Sequence, residues 1–142
     1  MFVKDILQHK GNDVFTVDPD ATVQDLTKSL TVHRIGAAVV IDGAGAVVGV
    51  VSERDVIRGV ADHGEACLAQ SVRDLMTTTV ITCEPDTPIQ DVMGLMTEHR
   101  IRHVPVIEDE ALVGLVSIGD VVRDRIAEAE REAAQLRQYI TA

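Results

Sequence analysis

VGVVSERDVIR, Val48 to Arg58, returns later in the chain as VGLVSIGDVVR, Val113 to Arg123, with seven of eleven positions identical. In both copies an apolar run of strand length ends in a Ser, and an Asp follows three residues on. Working outward, Val14 to Gly59 aligns with Val80 to Asp124 with a single one-residue gap near Gly45. The shared landmarks are Thr16 and Thr82, Pro19 and Pro85, Asp20 and Asp86, Gln24-Asp25 and Gln90-Asp91, His33-Arg34-Ile35 and His99-Arg100-Ile101, and Gly49 and Gly114. A lead-in repeats as well, VKDIL at Val3 to Leu7 and VRDLM at Val72 to Met76, but its distance to the repeat differs by three residues. Self-similarity on this scale signals two tandem copies of one supersecondary unit.

Each unit reads as strand, helix, strand, strand, helix. Thr16-Val17 and Thr82-Cys83 are short β-prone pieces closed by Asp-Pro and Glu-Pro. A helix follows, with Val23, Leu26 and Leu30 on one face in the first unit and Ile89, Val92, Met93 and Met96 in the second. Thr87 is placed to cap the second of these helices, with Pro88 in its first turn and Gln90 at capping-box spacing. AAVVI (Ala37 to Ile41) and VPVI (Val104 to Ile107) have the length and apolar continuity of buried strands. Asp42 to Ala46 and Glu108 to Glu110 are turns, VVGVV and LVGLV return, and Ser52 and Ser117 open the closing helices.

The totals bound the function. The 142 residues are 46% hydrophobic but only 2% aromatic, so Val, Ile, Leu and Ala must fill the core. A net charge of -10 argues against nucleic acid or an anionic membrane as the main partner, because both reward a basic face. No apolar run approaches the roughly 18 residues of a membrane span. Lys4 and Asp5 interrupt any signal-peptide pattern, and Cys67 and Cys83 form no CxxC, so a reduced, cytoplasmic protein is expected.

The Ser-x-x-Asp pair has two readings. In one, Ser caps the helix and the acid answers the positive helix end, a capping box worth about 1 kcal/mol. In the other, the strand-to-helix corner aims free N–H groups at a phosphate, while the Asp accepts hydrogen bonds from the vicinal hydroxyls of a ribose.

The ordered series of motifs resembles the CBS-domain family, as a tandem pair of CBS domains (a Bateman module) in a protein of the small stand-alone type. The resemblance covers residues 3 to 126 and rests on the Thr-x-x-Pro strand, the HRI helix end, the HVPV strand, the Gly-x-x-Ser-x-x-Asp turn and the duplication. It implies an α/β (α+β) fold of two CBS repeats about a pseudo-twofold axis: residues 3–66 with their lead-in, residues 67–126 with theirs, and a helical tail at 127–142. It also implies two clefts that bind adenosine ligands such as AMP, ADP, ATP, NAD or S-adenosylmethionine. Carried over by motif, Asp55 and Asp120 become ribose acceptors, and Ser52 and Ser117 sit near phosphate. Thr16 and Thr82 border adenine, and Val39 and Pro105 line the base pocket with help from Val17 and Cys83. Arg102, His103 and Arg100 supply cations for phosphate in the second unit, where the first has Gly36, Ala37 and Arg34. Arg54 lies inside the first Ser-x-x-Asp, where the second has Gly119. The sites are therefore unequal: one is tighter, or only one works, and the reading leans to the Asp120 motif for the sugar.

Other features carry less. Gly43-Ala44-Gly45 lies between two strands and reads as a hairpin turn. His99 and His103 have helical metal spacing, but the first unit repeats only His33, and no metal is expected. Cys83 reads as core, Cys67 as a loop thiol open to oxidation, and Met93, Leu95 and Met96 as packing residues. The acidic run from Glu128 to Glu132 reads as a solvated face. Val122, Ile126, Ala129, Ala133, Leu136 and Ile140 form a heptad-like seam on the tail. No acid–base or nucleophile set is recognisable, so no enzyme is expected. The expectation is a regulatory adenosine-nucleotide sensor acting on another protein, homodimeric by resemblance. The alternative is a constitutive interaction scaffold with vestigial clefts.

Overall fold

The computed structural model describes residues 1–141, which fold as two compact units, 13–81 and 1–12 with 82–141. In chain order the elements are α1 (Val3–Lys10), β1 (Thr16–Val17), α2 (Val23–His33), β2 (Ala37–Ile41), β3 (Val47–Ser52) and α3 (Glu53–His63). A 3-10 turn (Gly64–Ala69) leads to α4 (Val72–Leu75), α5 (Ile89–His99), β4 (His103–Glu108), β5 (Ala111–Ser117) and α6 (Ile118–Thr141). The expected helix-and-strand mixture is present in both repeats.

In the first unit β1 runs parallel to β2, and β2 runs antiparallel to β3. The second unit keeps the antiparallel pair β4–β5, but the strand expected at Thr82-Cys83 shrinks to one parallel bridge between Cys83 and Val106. The cause is a single residue. In the first unit the Val39 N–H donates to the Phe15 carbonyl at 3.2 Å. Pro105 holds the corresponding position and has no N–H to give.

The apolar faces form two cores. Leu26, Leu30, Ala38, Val40 and Val51 fill one; Val3, Leu7, Val92, Val104, Val106 and Val116 fill the other. Val23, Leu26 and Leu30 are buried as expected. On α5 the buried stripe is Ile89, Val92 and Met96, whereas Met93 is exposed, because the stripe steps by three and then four and leaves Met93 to one side. The cap of α5 is also corrected. Pro88, which has no side-chain acceptor, holds the N-cap position, and the Thr87 hydroxyl instead accepts from the Glu84 N–H at 2.9 Å. In α2 Thr22 does cap, accepting from the Asp25 N–H at 3.1 Å.

The compact units are drawn differently from a division of the chain at residue 66. The lead-in helix α1 packs with the second repeat, and α4 packs with the first. The two arrangements match bond for bond. Val3 N–H donates to Thr87 O at 3.0 Å and Lys4 N–H to Pro85 O at 2.9 Å; Val72 N–H donates to Ala21 O at 2.8 Å and Arg73 N–H to Pro19 O at 2.9 Å. The Lys4–Asp86 ion pair at 3.0 Å mirrors Arg73–Asp20 at 3.1 Å. Each repeat's strand glycine admits the lead-in side chain: a Cβ on Gly114 would lie 2.7 Å from Leu7 Cδ2, and one on Gly49 would lie 2.8 Å from Met76 Sδ.

The sequence tail is continuous with the second repeat, since α6 runs unbroken from Ile118 to Thr141. Asp120 and Val121 in its first turn are buried, while Val122, Ile126, Leu136 and Ile140 of the seam are exposed. Gly94, inside α5, has nothing beyond its own helix backbone within 4 Å of the position a Cβ would take. Gly94→Ala is therefore expected to stabilise the chain by about 0.5–1 kcal/mol through helix propensity, measured as a higher urea midpoint at unchanged slope.

Candidate functional site: two Ser-x-x-Asp corners

β3 passes into α3 with no intervening loop, and Ser52 is both the last strand residue and the helix N-cap. Its hydroxyl accepts from the Asp55 N–H at 3.3 Å, and Asp55 Oδ2 accepts from the Ser52 N–H at 2.8 Å and from its hydroxyl at 3.1 Å. Ser117 and Asp120 repeat this where β5 enters α6, at 3.2, 2.9 and 2.9 Å. The capping reading is thus realised in both units, and it buries both carboxylates, at 7% and 8% exposure. A capping box does not exhaust a carboxylate. Oδ1 of Asp55 meets only the exposed Arg58 at 3.3 Å, and Oδ1 of Asp120 meets the exposed Arg123 at 3.8 Å.

The residues before each central strand are tied to the same corner. The Gly36 carbonyl accepts from the Glu53 N–H at 2.9 Å, and the Arg102 carbonyl from the Ile118 N–H at 2.8 Å. In register, Ala37 lies opposite Ser52 and His103 opposite Ser117. The second unit therefore gathers Arg102, His103, Ser117 and Asp120 into one neighbourhood, where the first places Gly36 and Ala37. Arg100 and Arg34 end their helices in the left-handed conformation, φ 54° and 53°, and both are exposed. Arg54 is exposed in the first turn of α3.

Strand alternation sorts the remaining candidates. Ala38 and Val40 face one core and Val104 and Val106 the other, so Val39 and Pro105 are buried on the opposite faces of their strands. Thr16 lies in register with Val39, and both it and Thr82 are exposed. Val17 and Cys83 turn the other way, into the cores of their own units. Burial first, and Glu84 second, push the Cys83 thiol up to about 11, which suits a packing residue and not a nucleophile. Cys67 is also buried, with its Sγ 2.7 Å from where a Cβ on Gly59 would sit; the expected loop thiol open to oxidation is corrected to a packed one.

One residue escaped the sequence reading. Lys10, at the end of α1, places Nζ 2.7 Å from Asp120 Oδ2 and 2.7 Å from the Leu115 carbonyl. Burial works to raise the Asp120 carboxyl, but the Lys10 ammonium and the Ser117 N–H and O–H outweigh it and hold the group below the ordinary carboxylate range. Asp55 has no lysine in this place; its ion pair is with the exposed Arg58, on Oδ1. The signal lay in the three extra residues after the first lead-in, which let α1 run on to Lys10 while α4 stops at Leu75.

A depression of about 510 Å³ in the second unit is lined by Lys4, Leu7, Gln8, Pro85 and Glu108 among others, and by none of the corner residues. Among the described residues no group of three or more His, Cys, Asp or Glu side chains is assembled for a metal, and no helix is long and apolar enough to cross a membrane.

Comparison with known proteins matches the CBS domain to residues 3–62 and 72–126. The CBS domain-containing protein CBSX3, mitochondrial, of Arabidopsis thaliana is 38% identical over 97% of this chain and 71% of its own length. The crystal structure of the CBS-domain containing protein ATU1752 from Agrobacterium tumefaciens is 47% identical, with a TM-score of 0.86 over 87% of this chain and 92% of that one. The CBS domain pair of protein MJ0100, solved in complex with 5-methylthioadenosine and S-adenosyl-L-methionine, is 27% identical with a TM-score of 0.81, over 90% of this chain and 98% of its own. With both repeats matched and the paired Ser-x-x-Asp corners in place, the chain belongs to the CBS-domain family as a tandem pair of such domains.

Proposed function

We propose that the chain is a regulatory module that binds an adenosine ligand at its Ser-x-x-Asp corners and does no chemistry on it. The observation that carries this reading is the buried carboxylate at the start of α3 and again at the start of α6. Each is held by its own Ser and retains acceptor capacity on Oδ1. An ionised carboxylate with fixed orientation suits the two adjacent hydroxyls of a ribose, while the helix N-terminus favours an anion. Arg102 and His103 add cationic or hydrogen-bonding reach in the second unit. The adenosine compounds bound by the MJ0100 pair support the ligand class. AMP, ADP, ATP and NAD belong to the same class and share the diol. The ligand shifts the chain between forms by its differential affinity for them, and thereby alters contact with a regulated protein. A homodimer is part of this reading, with the exposed seam of α6 as the apolar stripe a second copy covers.

A thermal-shift panel tests it. A ligand at 100 times its Kd adds about 2.7 kcal/mol to the folded state. Stabilisation is expected with one or more of AMP, ATP, NAD, S-adenosylmethionine and 5′-methylthioadenosine, and much less with the 2′-deoxy counterpart. No shift across the panel would favour the constitutive scaffold, and turnover of the ligand would point to an enzyme.

A further inference from the structure

The two corners differ in one contact that the fold explains. At the edge of β3, the Val50 carbonyl accepts from the Thr77 N–H at 2.9 Å, so the second lead-in runs on as extended backbone along the strand. Leu115 holds the corresponding position in β5, and its carbonyl accepts instead from Lys10 Nζ at 2.7 Å. The same ammonium reaches Asp120 Oδ2 at 2.7 Å. That oxygen now accepts three donors: the Ser117 N–H, the Ser117 hydroxyl and Lys10. Asp55 Oδ2 accepts only the two from Ser52. Arg58 lies 3.3 Å from Asp55 Oδ1 and Arg123 3.8 Å from Asp120 Oδ1; both are exposed, and the closer one is at Asp55, so they do not produce the crowding at Asp120.

We propose that Lys10 is the residue that makes the two sites unequal, an internal occupant of the Asp120 carboxylate that a ligand diol must displace. This rests on the adenosine-binding reading above. A neutral diol uses both carboxylate oxygens: one hydroxyl meets the open Oδ1 of Asp120, and the other reaches Oδ2 only when the ammonium there, held by a short, charge-assisted hydrogen bond, gives way. At Asp55 the only cation to move is the exposed Arg58, 3.3 Å from Oδ1, which can turn into solvent. The first ligand molecule therefore goes to the Asp55 corner, and the Asp120 corner fills later and more weakly. Lys10 is the last residue of α1, so filling the second corner also frees the C-terminal turn of that helix from β5 and α6.

The test is calorimetric titration with AMP in an Asp55→Asn background, which keeps an acceptor oxygen for the Ser52 cap and leaves Asp120 as the only ionised corner. Adding Lys10→Met is expected to tighten AMP binding at least tenfold. Lys10→Gln, retaining polarity without charge, should act in the same direction, and Lys10→Arg should leave binding weak. In the otherwise native chain, Asp55→Asn should remove the tight site and Asp120→Asn should leave it. The proposal is overturned if AMP binds the Asp55→Asn chain equally well with Lys10, Met or Gln at position 10, or if it weakens on loss of the lysine. It is also overturned if Asp120→Asn abolishes the tight site. Those outcomes leave adenosine binding standing; absence of any AMP heat in the native chain and in every variant removes both together.

Discussion

Gly49→Val is expected to destabilise the chain by about 3 kcal/mol, at the upper end of what overpacking costs. A Cβ at Gly49 would come within 2.8 Å of Met76 Sδ and 2.9 Å of the Thr77 carbonyl oxygen. A thioether can rotate aside, but a backbone carbonyl cannot without dragging its strand. Thr77 exchanges two hydrogen bonds with Val50, at 2.9 and 3.0 Å, so moving it breaks the pairing that carries the second lead-in. Gly114→Val is the internal comparison. Its Cβ would meet only the Leu7 side chain, at 2.7 and 3.0 Å to the Cδ atoms, with no backbone atom among its nearest neighbours. It should cost about half as much, within the same overpacking range. Urea denaturation of the two variants decides the point. Equal losses, or a loss at Gly49 below about 1 kcal/mol, would mean that the lead-in is not held against the strand as described.

These two glycines show what a single sequence discloses and what it withholds. Their repetition at the same place was plain, and so were the bounds of β2, the buried faces of Val23, Leu26 and Leu30, and the strand-to-helix corners. All of these are local, written in apolar periodicity and in Ser-x-x-Asp spacing. The reason for the glycines was not legible, because the side chain each one admits comes from a segment more than twenty residues away. Leu7 lies 107 positions before Gly114. Lys10 escaped for the same cause: its partner Asp120 is 110 positions away. The Thr87 cap failed for a different one. One hydroxyl has N–H donors within reach on both sides, which spacing cannot rank, and the Glu84 N–H, three residues back, took it. The shortening of the Thr82-Cys83 strand, by contrast, was present in the sequence, because Pro105 announces a missing donor at the position where Val39 gives one.

Asp120→Ala is expected to cost about 3 kcal/mol in the ligand-free chain, taking about 1 kcal/mol for the lost cap and about 2 for the charge-assisted hydrogen bonds from Lys10 and Ser117. The figure is not larger because Lys10, whose side chain is 32% exposed, can turn to solvent once its partner is gone. Asp55→Ala removes the same cap without a lysine, and should cost nearer 1 kcal/mol. The pH dependence separates the two contributions at Asp120. Its carboxyl is held below the ordinary range in the folded chain, so its stabilisation is fully present above the unfolded value of about 3.9 and is lost as pH falls through the lower folded value. Asp120→Asn keeps a hydrogen-bond acceptor and cannot titrate. It should therefore be less stable than the native chain at neutral pH, with the difference shrinking as the medium is acidified below about pH 4. Lys10→Met should flatten that same acid limb while leaving the Ser117 cap in place. If the difference between the native chain and Asp120→Asn stays constant from neutral pH down to the acid transition, the carboxylate is not held by Lys10. The corner would then be a helix cap and nothing more.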